Sequence, residues 1–381
     1  MSGPREVLSR RGLGRATSVR QGLVERWGCS AAEAVERLVG MQAQAPDAPY
    51  VGLWSRVEGF EPSELVGLIE RREAVRIHVM RSTVHLVTAR DALRLRPLAD
   101  VVIRRSFMGQ AFPKELRDVD FDEVVAAARV LLDAQPRTRA ALGKALAERW
   151  PDRDPGALSY VASYLLPVVQ IPPRGLWQRS GSVAWAVAET WLGQPLATGQ
   201  PTPAALDELV LRYLAAFGPA SVKDAQVWSG LTRLREVTDR LAAAGRLRRF
   251  ADEDGRELLD LPDAPRPDPD TPVPVRFLPE YDNLLLSHDD RRRVIPHGRR
   301  VPLPPGQGGT GGEVLVDGLY VADWKIRRSP DRTEATLGVD AFPELPPLSG
   351  DDEAGITAEG ERLLDLVAPG AVHAVEIRRD G

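Results

Sequence analysis

The chain has 381 residues, roughly two to three times the usual domain length, which predicts about two to four folded units. Hydrophobic residues make up 43% and charged residues 27%, values typical of globular proteins in water, and no apolar run is long enough to cross a bilayer. The amino terminus lacks the apolar core of a secretion signal, and the one cysteine, Cys29, can form no internal disulfide. These features exclude a membrane-spanning protein and favour a reducing cytoplasm.

The net charge of −4 does not exclude a nucleic-acid partner, because the charges are segregated along the chain. Residues 71–105 contain nine arginines and three acidic residues, whereas residues 334–365 contain nine acidic residues and one arginine. Only four of the 50 basic residues are lysines. A GC-rich genome explains this most simply, although arginine also suits phosphates and guanine edges.

Helices followed by a hairpin are predicted for the first hundred residues. Ser30 and Glu33 have the spacing of a capping box, and Pro46 ends the helical pattern that follows. The predicted elements are a helix from Ser30 to about residue 41, helices over residues 50–57 and after Glu61-Pro62, and strands 75–80 and 83–87 around Arg81-Ser82.

A similar order of elements occurs twice more. The second copy has predicted helices over 124–132, 138–150 and 157–166, then apolar segments around 168–171 and 182–185. The third has helices over 207–217, 221–228 and 234–241, then strands 247–250 and 258–261. Two helices, a turn, a third helix and a two-stranded wing are the outline of a winged helix-turn-helix.

A proline-rich stretch at residues 262–274 is the clearest boundary, since its six prolines fit neither a helix nor a central strand. Beyond it, short alternating runs predict a small β-sheet or barrel. Its predicted elements are strands 312–316, 319–326 and 335–339, a helix over 358–366, and a terminal strand over 371–377.

Several motifs resemble the bacterial winged-helix DNA glycosylases of AlkZ and YcaQ type, over essentially the whole chain. They are residues 41–46 (MQAQAP), 50–56 (YVGLWSR), 81–86 (RSTVHL), 277–283 (FLPEYDN) and 287–291 (SHDDR). The resemblance implies an α+β fold with three tandem winged helix-turn-helix units around a C-terminal β-barrel. On this interpretation the units span residues 1–105, 106–200 and 201–262, and the barrel spans residues 275–381.

The resemblance also implies excision of alkylated purines from double-stranded DNA, including bulky adducts and interstrand crosslinks formed by natural-product genotoxins. The family divides by a Gln-x-Gln or a Gln-x-Asp motif, and Gln42-Ala43-Gln44 matches the first form. It therefore implies the branch acting on bulky adducts or crosslinks, with a role in self-resistance in a producing organism.

Gln42 and Gln44 are the predicted catalytic residues. Pro46 disfavours helix at Ala45, and in an extended segment residues i and i+2 point the same way, into one site. An N7-alkylated guanine is a cationic leaving group that needs no strong acid, so amide oxygens could position water and stabilise an oxocarbenium-like sugar. From the residues alone, the two glutamines could instead cap or bridge a helix end.

Predicted DNA contacts lie in three places, the hairpin, the 287–293 loop and a basic turn near residue 325. The residues are Arg76, Arg81, Thr83 and His85 in the hairpin, His288 and Arg291 in the loop, and Lys325, Arg327 and Arg328 near the turn. Alternatively the hairpin is an ordinary wing with His85 in the core, and the loop is a solvated run of charges. Five scattered histidines and one cysteine predict no zinc site, and no cofactor is expected.

Two functions remain open at this stage. The first is a monofunctional DNA glycosylase, since a lyase needs an amine nucleophile and none of the four lysines is near Gln42 in sequence. The second is a non-enzymatic winged-helix DNA-binding protein or transcriptional regulator. Regulators usually bind paired half-sites as dimers, and the chain offers no heptad pattern, so a monomer is expected.

Overall fold

The computed structural model describes residues 5–197, 201–295, 298–299 and 311–379. Its helices are α1 Arg10–Arg20, α2 Ala31–Arg37, α3 Ala48–Arg56, α4 Pro62–Glu70, α5 Ala89–Met108, α6 Phe112–Glu115, α7 Phe121–Ala134, α8 Arg139–Ala147, α9 Pro155–Leu165, α10 Ala188–Leu192, α11 Pro203–Phe217, α12 Val222–Ser229, α13 Leu234–Ala243, α14 Asn283–Leu286 and α15 Gly350–Val367. Its strands are β1 Val7–Leu8, β2 Met41–Gln42, β3 Ala74–His78, β4 Val84–Thr88, β5 Arg137–Thr138, β6 Val168–Gln170, β7 Ala184–Val187, β8 Arg248–Asp252, β9 Glu257–Asp260, β10 Arg276–Pro279, β11 Gly311–Val316, β12 Leu319–Arg328, β13 Glu334–Ala341 and β14 Val372–Arg379. Among the described residues, no helix combines the length and apolarity that crossing a membrane requires.

The predicted capping box at the start of α2 is confirmed. Ser30 accepts from the backbone of Glu33, whose side chain accepts from the backbone of Ser30. The helix ends at Arg37, earlier than predicted, because Val39 and Gly40 both have positive φ and turn the chain into β2. Glycine suits that turn, since a Cβ on Gly40 would lie 2.7 Å from the side chain of Val87.

One antiparallel sheet, with strand order β2-β4-β3-β6-β7-β5, joins the first and second predicted copies. The hairpin of β3 and β4 is confirmed, and β3 also pairs with β6 through Arg76 and Ile77. Helix α5, which the sequence interpretation did not assign, packs against this hairpin, and its Val102 and Ile103 share a core with Trp228 of α12. The sheet thus places the Gln42 segment beside the hairpin and near the third predicted copy.

The third predicted copy has the expected order of elements, α11, α12, α13, β8 and β9. Its two strands form a small sheet with β1, which was not predicted and which pairs parallel to β8. Ser221 and Asp224 form a capping box at the start of α12.

The carboxy-terminal region is a sheet of strand order β10-β11-β12-β13-β14, with β13 and β14 parallel. Within the described residues the sheet is open, because its edge strands β10 and β14 do not pair with each other. Helix α15 is longer than predicted and covers one face, where Ile356 and Leu363 pack with Phe277, Trp324 and Leu337. The expected closed barrel is therefore not found, since a helix rather than further strand pairing buries this face.

Candidate active site

Gln42 ends the short strand β2 opposite His85 of β4, so the two side chains lie on the same face of the sheet. The extended conformation predicted for this segment is observed at Gln42, whose side chain is 7% exposed. Gln44 lies just beyond the strand and is exposed. Its Oε1 accepts a hydrogen bond from the backbone N–H of Val84 at 3.3 Å, so both glutamines contact the same hairpin.

Arg81 occupies the turn of that hairpin with φ of 54°. Its Nη2 donates to Oε1 of Gln42 and to Oδ1 of Asn283, each at 2.7 Å, and its Nη1 donates to the carbonyl of Trp228 at 2.9 Å. Burial, with a further effect of the charge on Arg291, lowers the pKa of Arg81 to about 10, so the guanidinium stays charged at neutral pH. These three bonds use three of the five N–H groups of the half-buried Arg81 and hold it in the turn, and the phosphate contact expected of it stays a prediction.

Asn283 is a site residue that the sequence interpretation quoted only as part of a motif. Besides accepting from Arg81, it donates through Nδ2 to the carbonyl of Gly40 at 3.3 Å, directly before β2. The preceding Asp282 caps α14 and pairs with Arg56 of α3 at 2.8 Å, with both side chains almost fully buried. The 277–283 motif is thereby held against the Gln42 segment. A polar Asp-Asn pair directly before three consecutive leucines was the available signal.

A small cavity of about 10 Å³ lies beside Gln42, lined in part by Gly40, Arg56, Asp282 and Asn283. That volume suits about one water molecule, which would have several polar partners there. It is far too small for a purine, so any approach to DNA has to come from the exposed side, where Gln44 lies.

His85 is fully buried, and its Nδ1 lies 3.1 Å from the carbonyl of Thr83. Nδ1 therefore carries the proton, and Nε2 makes no hydrogen bond of normal geometry among the described residues, although a weaker contact with Asn283 raises the pKa slightly. Burial, together with the charge of Arg81, lowers the pKa of His85 to about 3, so its ring is neutral. Thr83 is half-buried and donates to the carbonyl of Met80. The alternative of a core histidine fits His85, whereas a direct DNA contact does not.

Arg76 is also buried, at 3% exposure, because β3 lies between two other strands. Its Nη2 donates to the carbonyl of Ala43, between the two glutamines, at 2.7 Å. Burial, and then the charge of Arg174, lower its pKa to about 10. Gly175 makes room for it, since a Cβ there would lie 2.8 Å from Cδ of Arg76. Arg76 therefore supports the glutamine segment, and the expected phosphate contact does not fit.

The 287–293 loop is less exposed than a DNA-facing loop would be. His288 is 1% exposed and its Nε2 lies 2.9 Å from the carbonyl of Phe217, while burial lowers its pKa to about 3. Arg291 is half-buried, and its Nε donates to the carbonyl of His288. The predicted DNA contact does not fit His288, because its ring is enclosed by the third predicted copy.

The basic residues of β12 are more accessible. Lys325 and Arg327 are exposed, although Arg327 pairs with Glu376 at 3.0 Å, and Arg328 is half-buried with Nη2 donating to the carbonyl of Val367. Gln178 connects this end of β12 to Asp47, three residues after Gln44, because its backbone N–H donates to Asp47 and its Nε2 donates to the carbonyl of Val367, which also accepts from Arg328. The end of β12 therefore lies near the glutamine segment.

The basic stretch 71–105 is not a free basic surface. Five of its nine arginines form ion pairs, namely Arg71–Glu73, Arg90–Glu36, Arg94–Glu208, and Arg96 and Arg104 with Asp100. Of the others, Arg76 is buried, Arg81 is half-buried, and the exposed Arg72 and Arg105 donate to the carbonyls of Trp191 and Gly230. Sequence counting cannot show this, since several of these partners are distant along the chain.

Comparison with known proteins agrees with this architecture. A family model described as DNA glycosylase AlkZ-like matches residues 35–366. The structure is similar to that of the Streptomyces sahachiroi DNA glycosylase AlkZ, with a TM-score of 0.71 and 20% identity, over 98% of this chain and 100% of that chain. Comparison with curated protein sequences returned no match. Identity at that level shows a shared fold, whereas the family model spans most of the sequence, and the chain therefore belongs to the AlkZ-like family of DNA glycosylases.

Proposed function

We propose that this chain is a monofunctional DNA glycosylase that hydrolyses the N-glycosidic bond of N7-alkylated purines in double-stranded DNA, with Gln42 and Gln44 at the reacting sugar. The observation that carries the proposal is the convergence of both carboxamides on one hairpin, Gln42 through Arg81 and Gln44 through the N–H of Val84. Three tandem winged helix-turn-helix units and a monomeric state are part of the same proposal.

The polar groups around Gln42 suit a substrate whose base is already a good leaving group. Among the described residues, the hydrogen-bond partners of Gln42 and Gln44 are a guanidinium and a backbone amide, and the imidazole beside them is neutral with a pKa of about 3. None of these three groups is a strong acid at neutral pH. Alkylation at N7 makes the purine cationic, so positioning of water and oriented dipoles are what the reaction still requires.

The shape of the site favours bulky lesions. The cavity beside Gln42 holds about 10 Å³, whereas Gln44 is open to solvent. A bulky adduct or a crosslinked base resists full extrusion into a closed pocket, and an open site permits attack without it. Bulky natural-product adducts and interstrand crosslinks are therefore the proposed substrates, and self-resistance is the proposed role in a producing organism.

The proposal is tested with duplex DNA carrying one N7-alkylguanine, by measuring base release under single-turnover conditions. Gln42→Ala and Gln44→Ala should each slow release by about 10² to 10³-fold, the usual cost of removing one group aimed at the transition state. Gln135→Ala is the matched control, because Gln135 is an exposed glutamine that follows α7, away from the hairpin.

Three outcomes are decisive. No base release by the wild type would refute the activity, and tight binding to an unmodified sequence would then indicate the regulator instead. Release by the double glutamine variant at the wild-type rate would refute the assigned residues. Borohydride trapping of a covalent enzyme–DNA adduct would contradict monofunctional hydrolysis, since only a lyase forms a Schiff base.

A further inference from the structure

The two atoms at the end of the Gln42 side chain have different surroundings. Oε1 faces the guanidinium of Arg81 at 2.7 Å, and because arginine only donates, this contact identifies the oxygen of the amide. Among the described residues, no group accepts a hydrogen bond from Nε2, which is also absent from the set of fully buried unpaired atoms. The oxygen is therefore turned toward the guanidinium, and the NH₂ group, about 120° away on the amide carbon, is left without a protein partner and is not fully enclosed.

The guanidinium that holds this oxygen is itself firmly held. Arg81 is anchored by Asn283 at 2.7 Å and by the carbonyl of Trp228 at 2.9 Å, and Asn283 is tied to Gly40 next to β2. An arginine with both terminal nitrogens anchored loses little further freedom when it orients a third group. The contact between residues 42 and 81 is thus part of a rigid network, not a mobile surface pair.

We propose that Arg81 is a positioning residue that orients Gln42 so that its NH₂ group, and not its oxygen, faces the lesion. This inference rests on the proposed function and deepens it, and it revises the expectation that amide oxygens face the sugar. Gln42 then acts as a hydrogen-bond donor toward the departing base. The charged donor on its oxygen also polarises the amide and strengthens that donation.

The chemistry of the step is consistent with a donor at this place. The oxygen of water bonds to C1′ while the C1′–N9 bond breaks and leaves its electron pair on N9. The cationic purine departs as a neutral base, and the proton lost by the water passes to solvent. A fixed hydrogen-bond donor stabilises the electron density that arrives on the ring nitrogens of the departing base. The NH₂ group of Gln42 cannot accept the proton lost by the water, so that proton goes to solvent.

Gln42→Glu separates the two possibilities, because it keeps the oxygen and replaces the NH₂ group, with both its N–H donors, by a second oxygen. If the donor acts, this variant should release base about 10² to 10³-fold more slowly than the wild type, like Gln42→Ala. Release at or above the wild-type rate would show that an oxygen acts on the sugar, and would overturn the proposal.

The role of Arg81 is tested by a double-mutant cycle with Gln42. Arg81→Ala should slow single-turnover release by about 10²-fold, the scale expected when a reacting group is displaced by about 1 Å. The same substitution should have little effect in the Gln42→Ala background, because there is no amide left to orient. Equal effects in both backgrounds would indicate a merely structural role and overturn the proposal.

DNA binding distinguishes positioning from a phosphate contact. Arg81→Ala and Arg81→Lys should leave the affinity for undamaged duplex and its salt dependence unchanged, whereas loss of a phosphate contact would weaken binding and reduce the salt slope by about one. Arg105→Ala is the matched control. Arg105 donates to the carbonyl of Gly230, two residues after the Trp228 carbonyl that holds Arg81, but it makes no hydrogen bond to Gln42. This control should keep the wild-type rate of release.

A thermal arm tests the contact independently of activity. A glutamate at position 42 forms an ion pair with Arg81, so Gln42→Glu should melt higher than Gln42→Ala, and this difference should disappear in the Arg81→Ala background. Persistence of the difference without Arg81 would refute the contact. Absence of base release by the wild type would instead refute the proposed function, and the thermal result would still decide whether Arg81 holds residue 42.

Discussion

The buried ion pair between Arg56 and Asp282 predicts a large cost when one partner is removed. Nη2 of Arg56 lies 2.8 Å from Oδ1 of Asp282, and the two side chains are 1% and 4% exposed. The same oxygen accepts from the N–H of Leu284 at the start of α14. Arg56→Met keeps an unbranched apolar side chain but leaves the carboxylate buried and without its ion-pair partner, which costs about 3 to 5 kcal/mol.

That cost converts into a measurable melting shift. Unfolding of a chain of 381 residues has an entropy of about 0.8 kcal/mol per kelvin, so the melting temperature should fall by about 4 to 6 °C. Circular dichroism on heating measures the shift. Arg71→Met is the control, because the pair between Arg71 and Glu73 is exposed and its loss should leave the melting temperature unchanged.

The double variant Arg56→Met/Asp282→Asn completes the experiment. Asparagine keeps an oxygen for the cap of α14 and removes the unpaired charge, so the double variant should be more stable than Arg56→Met alone. The reasoning fails if Arg56→Met melts within 1 °C or so of the Arg71→Met control. It also fails if the melting shift of the double variant equals the sum of the shifts measured for Arg56→Met and Asp282→Asn separately.

Three further predictions concern titration and DNA binding. The pKa of His85 is lowered to about 3 in the fold, so the unfolded chain takes up this proton first as the pH falls below about 6.5, and the folded state loses stability. The free energy of unfolding lost between pH 6.5 and 3, measured with urea, should therefore be smaller in His85→Gln than in the wild type. An equal loss in the two proteins would contradict a neutral buried ring. Burial, with Asp282 and Asp323 nearby, raises the pKa of Glu313 well above its usual value, so this group destabilises the fold as the pH rises past about 4.5. Glu313→Gln should therefore raise the melting temperature at pH 8 and hardly change it at pH 4. A larger increase at pH 4 than at pH 8 would refute an upward shift of this pKa. Lys325→Ala should reduce the slope of log affinity against log salt by about one, whereas the buried Arg76→Ala should lower stability and leave that slope unchanged; fluorescence anisotropy at several salt concentrations decides between them.

Local features of this chain could be predicted because their causes lie within a few residues. The capping box of Ser30 and Glu33 depends on residues three apart, and the hairpin depends on alternation on either side of Arg81-Ser82. The order of elements in the third copy follows from similar signals. The length of α15 was underestimated, and α1 and α5 were not assigned.

The candidate site was predicted in part. The motif residues Gln42 and Gln44 were chosen from the resemblance, and the structure places both against the hairpin. Their catalytic role remains a proposal. Asn283 was not chosen, because its importance depends on contacts with residues 40 and 81, which are more than 200 positions earlier in the chain.

The sequence by itself thus determined many of the local elements and indicated the family, since both depend on short patterns of residues that are close together in the chain. The proline-rich boundary stays a prediction. Only the tertiary structure decided what the polar side chains do. Arg76, His85 and His288 look like surface groups in a polar pattern, yet they are buried at 3%, 0% and 1% exposure. Pairing of β3 on both sides and packing of the third copy enclose them, and burial of this kind depends on chain segments that sequence spacing does not bring together.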